Sequence, residues 1–332
     1  MKDLIKKLTA ISSPSGFEDE IREAICQEIQ GYCDEIKVDA LGNLIAVKRG
    51  KGPRVQFAAH MDEIGLIATD IDDKGFVRFS NVGGVSPHRL YGQRVRFTNG
   101  VVGTIGSEKL EDVRKLALDK LFIDIGAQSR EEASKLVSIG DCCTYLQGFD
   151  DLGKRVVAKS MDNRIGCAVL IEAMRRTKEC VNEVYCTFTV QEEVGLRGAV
   201  TSAYGIDPAL GIAVDVTMTG DTPEAPKMAV GLGKGTAIKV KDSSVIAHPK
   251  VKQLLVDLAE KNGVQYQLEV LTAGGTDAGA IHKTRAGVPS GVVSIPCRYV
   301  HSPSEMVDMD DVEASVRLVS LVMTSDVSSV LP

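Results

Sequence analysis

Two of the five histidines in this 332-residue chain keep acidic company at the ends of apolar runs. His60 closes Val55-Gln56-Phe57-Ala58-Ala59 and leads into Met61-Asp62-Glu63. His301 follows the apolar run 292–295 and sits in Tyr299-Val300-His301-Ser302-Pro303. Acids take matching places elsewhere. Asp162 lies in Ser160-Met161-Asp162-Asn163, just ahead of a helical pattern. Glu192-Glu193 follows the run 184–190 and Gln191, and Asp215 lies near the end of the run 210–216. Taken singly, each has an ordinary explanation. Asp162 suits a helix N-cap, Glu192-Glu193 a solvated turn, and a lone histidine a satisfied core position. Asp215 resists such an account, because a carboxylate buried unpaired in an apolar strand is costly. The set is more specific than its members. Imidazole and carboxylate together suit Zn²⁺, Co²⁺ or Mn²⁺. Two histidines and three carboxylates at one sheet edge would hold two such cations, one carboxylate being shared. A neighbouring glutamate left free of metal would then act as general base toward water.

These side chains converge only if the runs before them are strands of one sheet. Ligands of open α/β sheets bind beyond the carboxyl ends of the strands, where both histidines fall. Runs at 36–38, 44–47, 55–59, 184–190, 210–216 and 292–295 read as strands. Helical spacing marks 16–30, behind an S-x-x-E capping pattern at Ser15 and Glu18, and then 163–174, 249–259 and 312–322. Alternating strands and helices imply an α/β/α sandwich built on a mixed sheet. The stretch 70–155 reads differently. Asp72-Asp73-Lys74-Gly75, Gly83-Gly84 and Asn99-Gly100 punctuate short alternating segments such as Arg94-Val95-Arg96-Phe97. One helix interrupts it, with Ser129 and Glu132 as a second S-x-x-E pattern. A small β-rich domain inserted at 70–155 is expected, splitting the catalytic domain into 1–69 and 156–332. Its short strands would leave bare edges that invite pairing with another chain.

Composition narrows the field. The length suggests two domains. A formal net charge of -6 without a basic patch gives no reason to expect nucleic-acid binding. The opening MKDLIKKLTA lacks the apolar core of a secretory signal. No apolar run nears the roughly 20 residues of a membrane helix, so a cytoplasmic protein is expected. None of the eight cysteines forms a C-x-x-C pair, which argues against a thiolate zinc site and for buried free thiols.

Several blocks resemble those of the tetrahedral aminopeptidases, the glutamyl/leucyl deblocking family, some members of which carry an endoglucanase label. They are Ala59-His60-Met61-Asp62-Glu63-Ile64-Gly65, Met161-Asp162-Asn163-Arg164, Gln191-Glu192-Glu193-Val194-Gly195, Val214-Asp215 and Tyr299-Val300-His301-Ser302-Pro303-Ser304-Glu305. Asn81-Val82-Gly83-Gly84 and Gly274-Gly275-Thr276-Asp277-Ala278-Gly279 are similar too, and the resemblance runs from about residue 2 to 325. It implies two divalent metal ions per subunit, zinc or cobalt first and manganese next. His60 and Asp215 would bind one metal, Glu193 and His301 the other, and Asp162 would bridge them. Glu192 would be the general base and later donate the proton to the leaving amine. Asp62 would hydrogen-bond the far nitrogen of His60, which His-x-Asp at a strand end also favours on physical grounds. The resemblance implies N-terminal hydrolysis of short peptides and a homo-oligomer. In it the inserted domain joins subunits into dimers, six of which close into a dodecamer. His88, His248 and His282 receive no role.

Competing readings fit less well. Carboxypeptidases and deacylases of the same fold keep a short interval between the first histidine and the bridging aspartate. Here about a hundred residues separate Asp62 from Asp162. A glycosidase needs paired carboxylates, yet Trp is absent and aromatics total 5%, which leaves few faces for sugar rings. A non-catalytic peptide-binding protein would have no use for Glu192.

Overall fold

The computed structural model describes residues 1–331. Four strands form the parallel centre of an eleven-stranded sheet: Glu183–Thr189, Arg54–His60, Leu210–Thr217 and Ser290–Arg298, side by side in that order. Leu44–Lys48 and Glu35–Val38 extend it antiparallel on one side. Glu305–Asp308, Arg155–Ala158 and Asp150–Asp151 extend it on the other. Thr236–Lys241, paired with Tyr266–Val270, branches from Ser290–Arg298.

The central strands are buried on both faces, which is why they read as continuous apolar runs. Their alternation sorts the two faces. Val55, Phe57 and Ala59 enter the main core, whereas Ala58 joins Ala199, Ala203, Ala280 and Ile281 on the other side. The helix Met161–Arg176 lies on the main-core face. It packs on the sheet and on the helices Lys2–Ala10, Asp19–Ile29 and Met309–Thr324. Contact on so many sides explains its nearly all-round apolar sequence. Helices Arg197–Ile206 and Ala278–Ile281 cover the opposite face, completing the expected sandwich.

The capping box expected at Ser15 and Glu18 does not form. Glu18 is the N-cap of Asp19–Ile29, and no side chain caps that helix. Instead the Ser15 hydroxyl donates to Asp62 Oδ2 at 2.6 Å. Glu18 Oε1 accepts the backbone N–H groups of Gly16 at 2.8 Å and Gln191 at 3.0 Å. Both side chains serve the loops that carry the acidic residues. The second S-x-x-E pattern does cap: Ser129 Oγ accepts the Glu132 N–H at 3.3 Å and starts the helix Arg130–Ser134.

The inserted segment is a closed antiparallel barrel. Its strands, in order around it, are Gly65–Ile71, Val77–Val82, Leu121–Asp124, Val102–Ser107, Arg94–Phe97 and Cys142–Tyr145. Leu66, Val77, Phe79, Phe97, Leu121 and Ile123 form a core distinct from that of the sandwich. The barrel begins at Gly65 rather than 70, because Gly65–Ile71 hydrogen-bonds into it. It ends at Tyr145 rather than 155, because Asp150–Asp151 and Arg155–Ala158 join the large sheet. Closure also removes the bare strand edges expected of this segment.

Candidate metal centre

The carboxyl ends of the four parallel strands bring the expected residues together. His60 ends Arg54–His60, Glu192 and Glu193 follow Glu183–Thr189, Asp215 lies in Leu210–Thr217, and His301 follows Ser290–Arg298. Asp162 enters from the start of Met161–Arg176. Its two oxygens face different histidines. Oδ1 lies 3.1 Å from His60 Nε2, and Oδ2 lies 3.2 Å from His301 Nε2. Asp215 Oδ1 is 3.7 Å from His60 Nε2, and Glu193 Oε1 is 3.3 Å from His301 Nε2. Two triads therefore share Asp162: His60, Asp162 and Asp215, and Asp162, Glu193 and His301. Within each, the potential ligand atoms lie within 4.8 Å of one another. Glu192 stands outside both triads, its Oε2 3.8 Å from His60 Nε2.

Neighbouring groups fix these positions. Asp62 Oδ1 is 3.5 Å from His60 Nδ1, too long for a good hydrogen bond. That nitrogen lies nearer the Asp62 backbone carbonyl, at 3.2 Å. The Asp62 carboxylate instead accepts the N–H groups of Glu192 at 3.0 Å and Glu193 at 3.2 Å. It thus locks the glutamate turn to the loop after His60. Glu305 does the same on the other flank, accepting the N–H of His301 at 2.7 Å and of Asp162 at 2.9 Å. His301 Nδ1 contacts the Gly84 carbonyl of the barrel at 2.9 Å. A Cβ at Gly84 would lie 2.6 Å from that nitrogen, so only glycine permits the approach. Ser160, Gln191, Tyr299 and His301 all have positive φ without being glycine. Such strain collects where surrounding structure over-determines a functional geometry.

The electrostatics fit cations. Burial alone would lower the His60 pKa, but Glu192, Asp162, Asp215 and Asp62 hold it well above the ordinary imidazole value. His301 follows suit: burial opposes its charge, yet Asp162 and Glu193 raise it to about 12. Burial pushes the Glu192 carboxyl well above its usual range, with Asp215 and Glu193 adding to the effect against His60. Burial likewise raises Glu193 and Asp215. Glu193 Oε1 is buried and lacks a hydrogen bond. Acids outnumber the two imidazolium cations that can answer them, and every donor atom is oxygen or nitrogen. This donor set fits divalent metal ions of the zinc, cobalt and manganese type. The cluster opens into a cavity of about 630 Å³ whose walls include Gly84, Ser86 and Arg89 of the barrel.

The family profile described as M42 glutamyl aminopeptidase matches residues 42–318. This chain belongs to the M42 glutamyl aminopeptidase family. It is a hydrolase acting on peptide bonds, as the named relatives of the family are. It is 58% identical to a provisionally named aminopeptidase of Acetivibrio thermocellus, over 96% of this chain and 97% of the relative. It is 36% identical to the lysyl aminopeptidase of Pyrococcus furiosus, over 95% and 94% of the two chains. Among solved structures, it matches the TET1 peptidase of Pyrococcus horikoshii, described as assembling into a tetrahedron or a large octahedral shell. The TM-score is 0.88 at 38% identity, with 97% and 99% of the two chains covered.

Some residues of this M42 site escaped the sequence reading. Glu305 was visible only as an acid four positions beyond His301. Burial, then the charge of Asp162, raises its pKa to about 8. Asp277 is buried with Oδ2 accepting the Thr189 hydroxyl at 2.5 Å and Oδ1 unpartnered. Burial raises its pKa to about 7. Ser15 and Glu18 hid behind a capping pattern. Lys159 and Arg164, which bracket Asp162, bind Glu63: Lys159 Nζ lies 2.7 Å and Arg164 Nη2 3.4 Å from its Oε1. Of the other histidines, His88 is exposed, His248 precedes Pro249–Lys261, and His282 Nδ1 contacts the Ala278 carbonyl at 2.8 Å. None of the three belongs to the acidic cluster.

Proposed function

We propose that this M42 protein is a dinuclear metal-dependent aminopeptidase that removes N-terminal residues from short peptides. The observation that carries the reading is Asp162, which belongs to both three-residue ligand sets and turns one oxygen to His60 and the other to His301. His60 and Asp215 would hold one cation, Glu193 and His301 the other, with Asp162 between them. The metals would supply Lewis-acid polarisation of the scissile carbonyl and a lowered pKa for water. Glu192, free of both sets, takes the proton of the attacking water and returns it to the leaving amine. Its burial pushes the carboxyl above the usual carboxylate range, the direction that favours a group able to hold the proton it takes. Asp62 keeps Glu192 in place through the backbone rather than by touching the reacting atoms. The cluster's acids also offer a place for the free α-amino group of the substrate, which explains trimming from the end.

The test is hydrolysis of matched peptides with free and N-acetylated termini, before and after chelation. Release of one residue at a time from the free peptide, lost on chelation and restored by Zn²⁺, Co²⁺ or Mn²⁺, is expected. Cleavage of internal bonds, or full activity without metal, would overturn the reading.

The inserted barrel, with the bounds described above, would join subunits into dimers that build a dodecamer. Tyr91, Val113 and Ile139 are exposed on the barrel and offer it apolar contact. Light scattering showing a mass fixed at the 35.6 kDa monomer would refute this. Eight unpaired cysteines suit a reducing compartment such as the cytoplasm.

A further inference from the structure

Above the acidic floor, the cavity is lined mainly by small and apolar residues such as Gly84, Met218, Leu271, Gly275 and Val300. Among the described residues, Arg89 is the one cation on these walls other than the two histidines. It comes from the barrel and not from the catalytic sandwich. Its Nη1 donates to the backbone carbonyl of Val300, the residue before His301. That contact fixes the guanidinium beside the cluster while leaving most of its donors free. No carboxylate of the described residues pairs with it.

Charge counting gives this position a meaning. Asp162, Glu192, Glu193 and Asp215 are the acids on the same walls, where two divalent cations would engage them, whereas Arg89 has no carboxylate partner among the described residues. A guanidinium is a planar fork matched to a carboxylate. We propose that Arg89 binds a carboxylate of the substrate and is a specificity-determining residue of this peptidase. The inference rests on the aminopeptidase reading. A peptide held with its first peptide bond at the cluster offers a carboxylate at this range in two ways. One is the side chain of an acidic N-terminal residue. The other is the C-terminus of a dipeptide, since each further residue carries that terminus about 3.5 Å away.

The experiment compares kcat/KM for two substrate pairs in the metal-loaded enzyme, wild type against Arg89→Ala and Arg89→Lys. The pairs are glutamyl- against leucyl-anilide, and leucyl-glycine against its C-terminal amide. Loss of the Val300 anchor would depress both members of a pair together, so the ratio isolates the carboxylate contact. Arg89→Ala is expected to lower at least one ratio by about tenfold, the scale of a charge-assisted hydrogen bond. Arg89→Lys, which keeps the charge without the fork, is expected to recover part of it. A change confined to the anilides assigns the contact to the N-terminal side chain; one confined to the dipeptides assigns it to the C-terminus. Both ratios staying at their wild-type values in active Arg89→Ala enzyme would overturn the inference. Inactivity of the wild-type protein toward all four substrates would overturn the peptidase reading, and this inference with it.

Discussion

Glu63 and its partners contrast with the acidic cluster a few residues away. Lys159 Nζ lies 2.7 and 2.8 Å from the two Glu63 oxygens, and Arg164 adds a contact at 3.4 Å. The same cations bind the carbonyls of Leu8 and Ile11, and Ser13 donates its N–H to Glu63. All three charged side chains are buried, and the chain itself supplies both signs of charge. In the cluster of His60, Asp162, Glu192, Glu193, Asp215 and His301, buried and half-buried acids exceed the cations at hand. The two groups interleave in sequence, since Glu63 is three residues past His60 while Lys159 and Arg164 bracket Asp162. Burial of charge alone therefore does not mark function. The distinguishing feature is whether the protein completes its own neutralisation. The paired group ties the N-terminal segment to the two loops that carry His60 and Asp162. The unpaired group is the candidate site for cations from outside.

The largest effect expected from this contrast is on stability. Glu63→Gln leaves two buried cations short of a partner and should cost about 3–5 kcal/mol. Urea denaturation should find that loss with and without metal; a change below about 1 kcal/mol would mean the group is not the structural tie described. Next comes activity. Glu192→Gln should retain bound metal yet lose kcat by at least about 10²-fold, whereas Asp162→Asn should lose metal itself. Metal analysis beside steady-state kinetics separates the two, and a nearly fully active, metal-replete Glu192→Gln enzyme would remove Glu192 from the chemistry.

A subtler effect tests the cluster from the opposite direction. Burial raises the Glu193 carboxyl, so its ionised form opposes folding of the metal-free protein above its unfolded pKa. Glu193→Gln should therefore stabilise metal-free protein at pH 7 by about 1 kcal/mol while weakening metal binding. Destabilisation in both states would place Glu193 with the structural group. The smallest signal is in pH. His60 and His301 are held above the ordinary imidazole value, so both carry protons in the metal-free protein at neutral pH. Metal ligation requires neutral imidazole. Binding should thus release protons, and affinity should fall as pH falls. Calorimetry in buffers of different ionisation enthalpy reads this directly; proton-independent binding would contradict it.

Much of this molecule was legible in one dimension. Strands buried on both faces betray themselves as apolar runs, and a polar residue at such a run's end has few structural excuses. That logic located His60, Asp215, Glu192 and Glu193. It could not locate Glu305, Ser15 or Glu18, whose partners are backbone N–H groups far away in the chain. An S-x-x-E pattern reads alike whether its side chains cap a helix or brace a distant loop, as Ser129 and Ser15 show. Likewise, Gly-punctuated alternating segments signal short strands but not whether they close. Closure of the barrel depends on Cys142–Tyr145 pairing with both Gly65–Ile71 and Arg94–Phe97, a long-range register. The sequence by itself determined which residue types stand at which strand ends, because side-chain chemistry and local periodicity are properties of neighbours along the chain. Only the tertiary structure decided that Asp162 faces both histidines, that Glu63 meets two cations while Glu193 shares one with Asp162, and that Arg89 of the barrel reaches the cavity above the acidic cluster. Charge balance and reach are sums over space, and neighbours in space are set by folding.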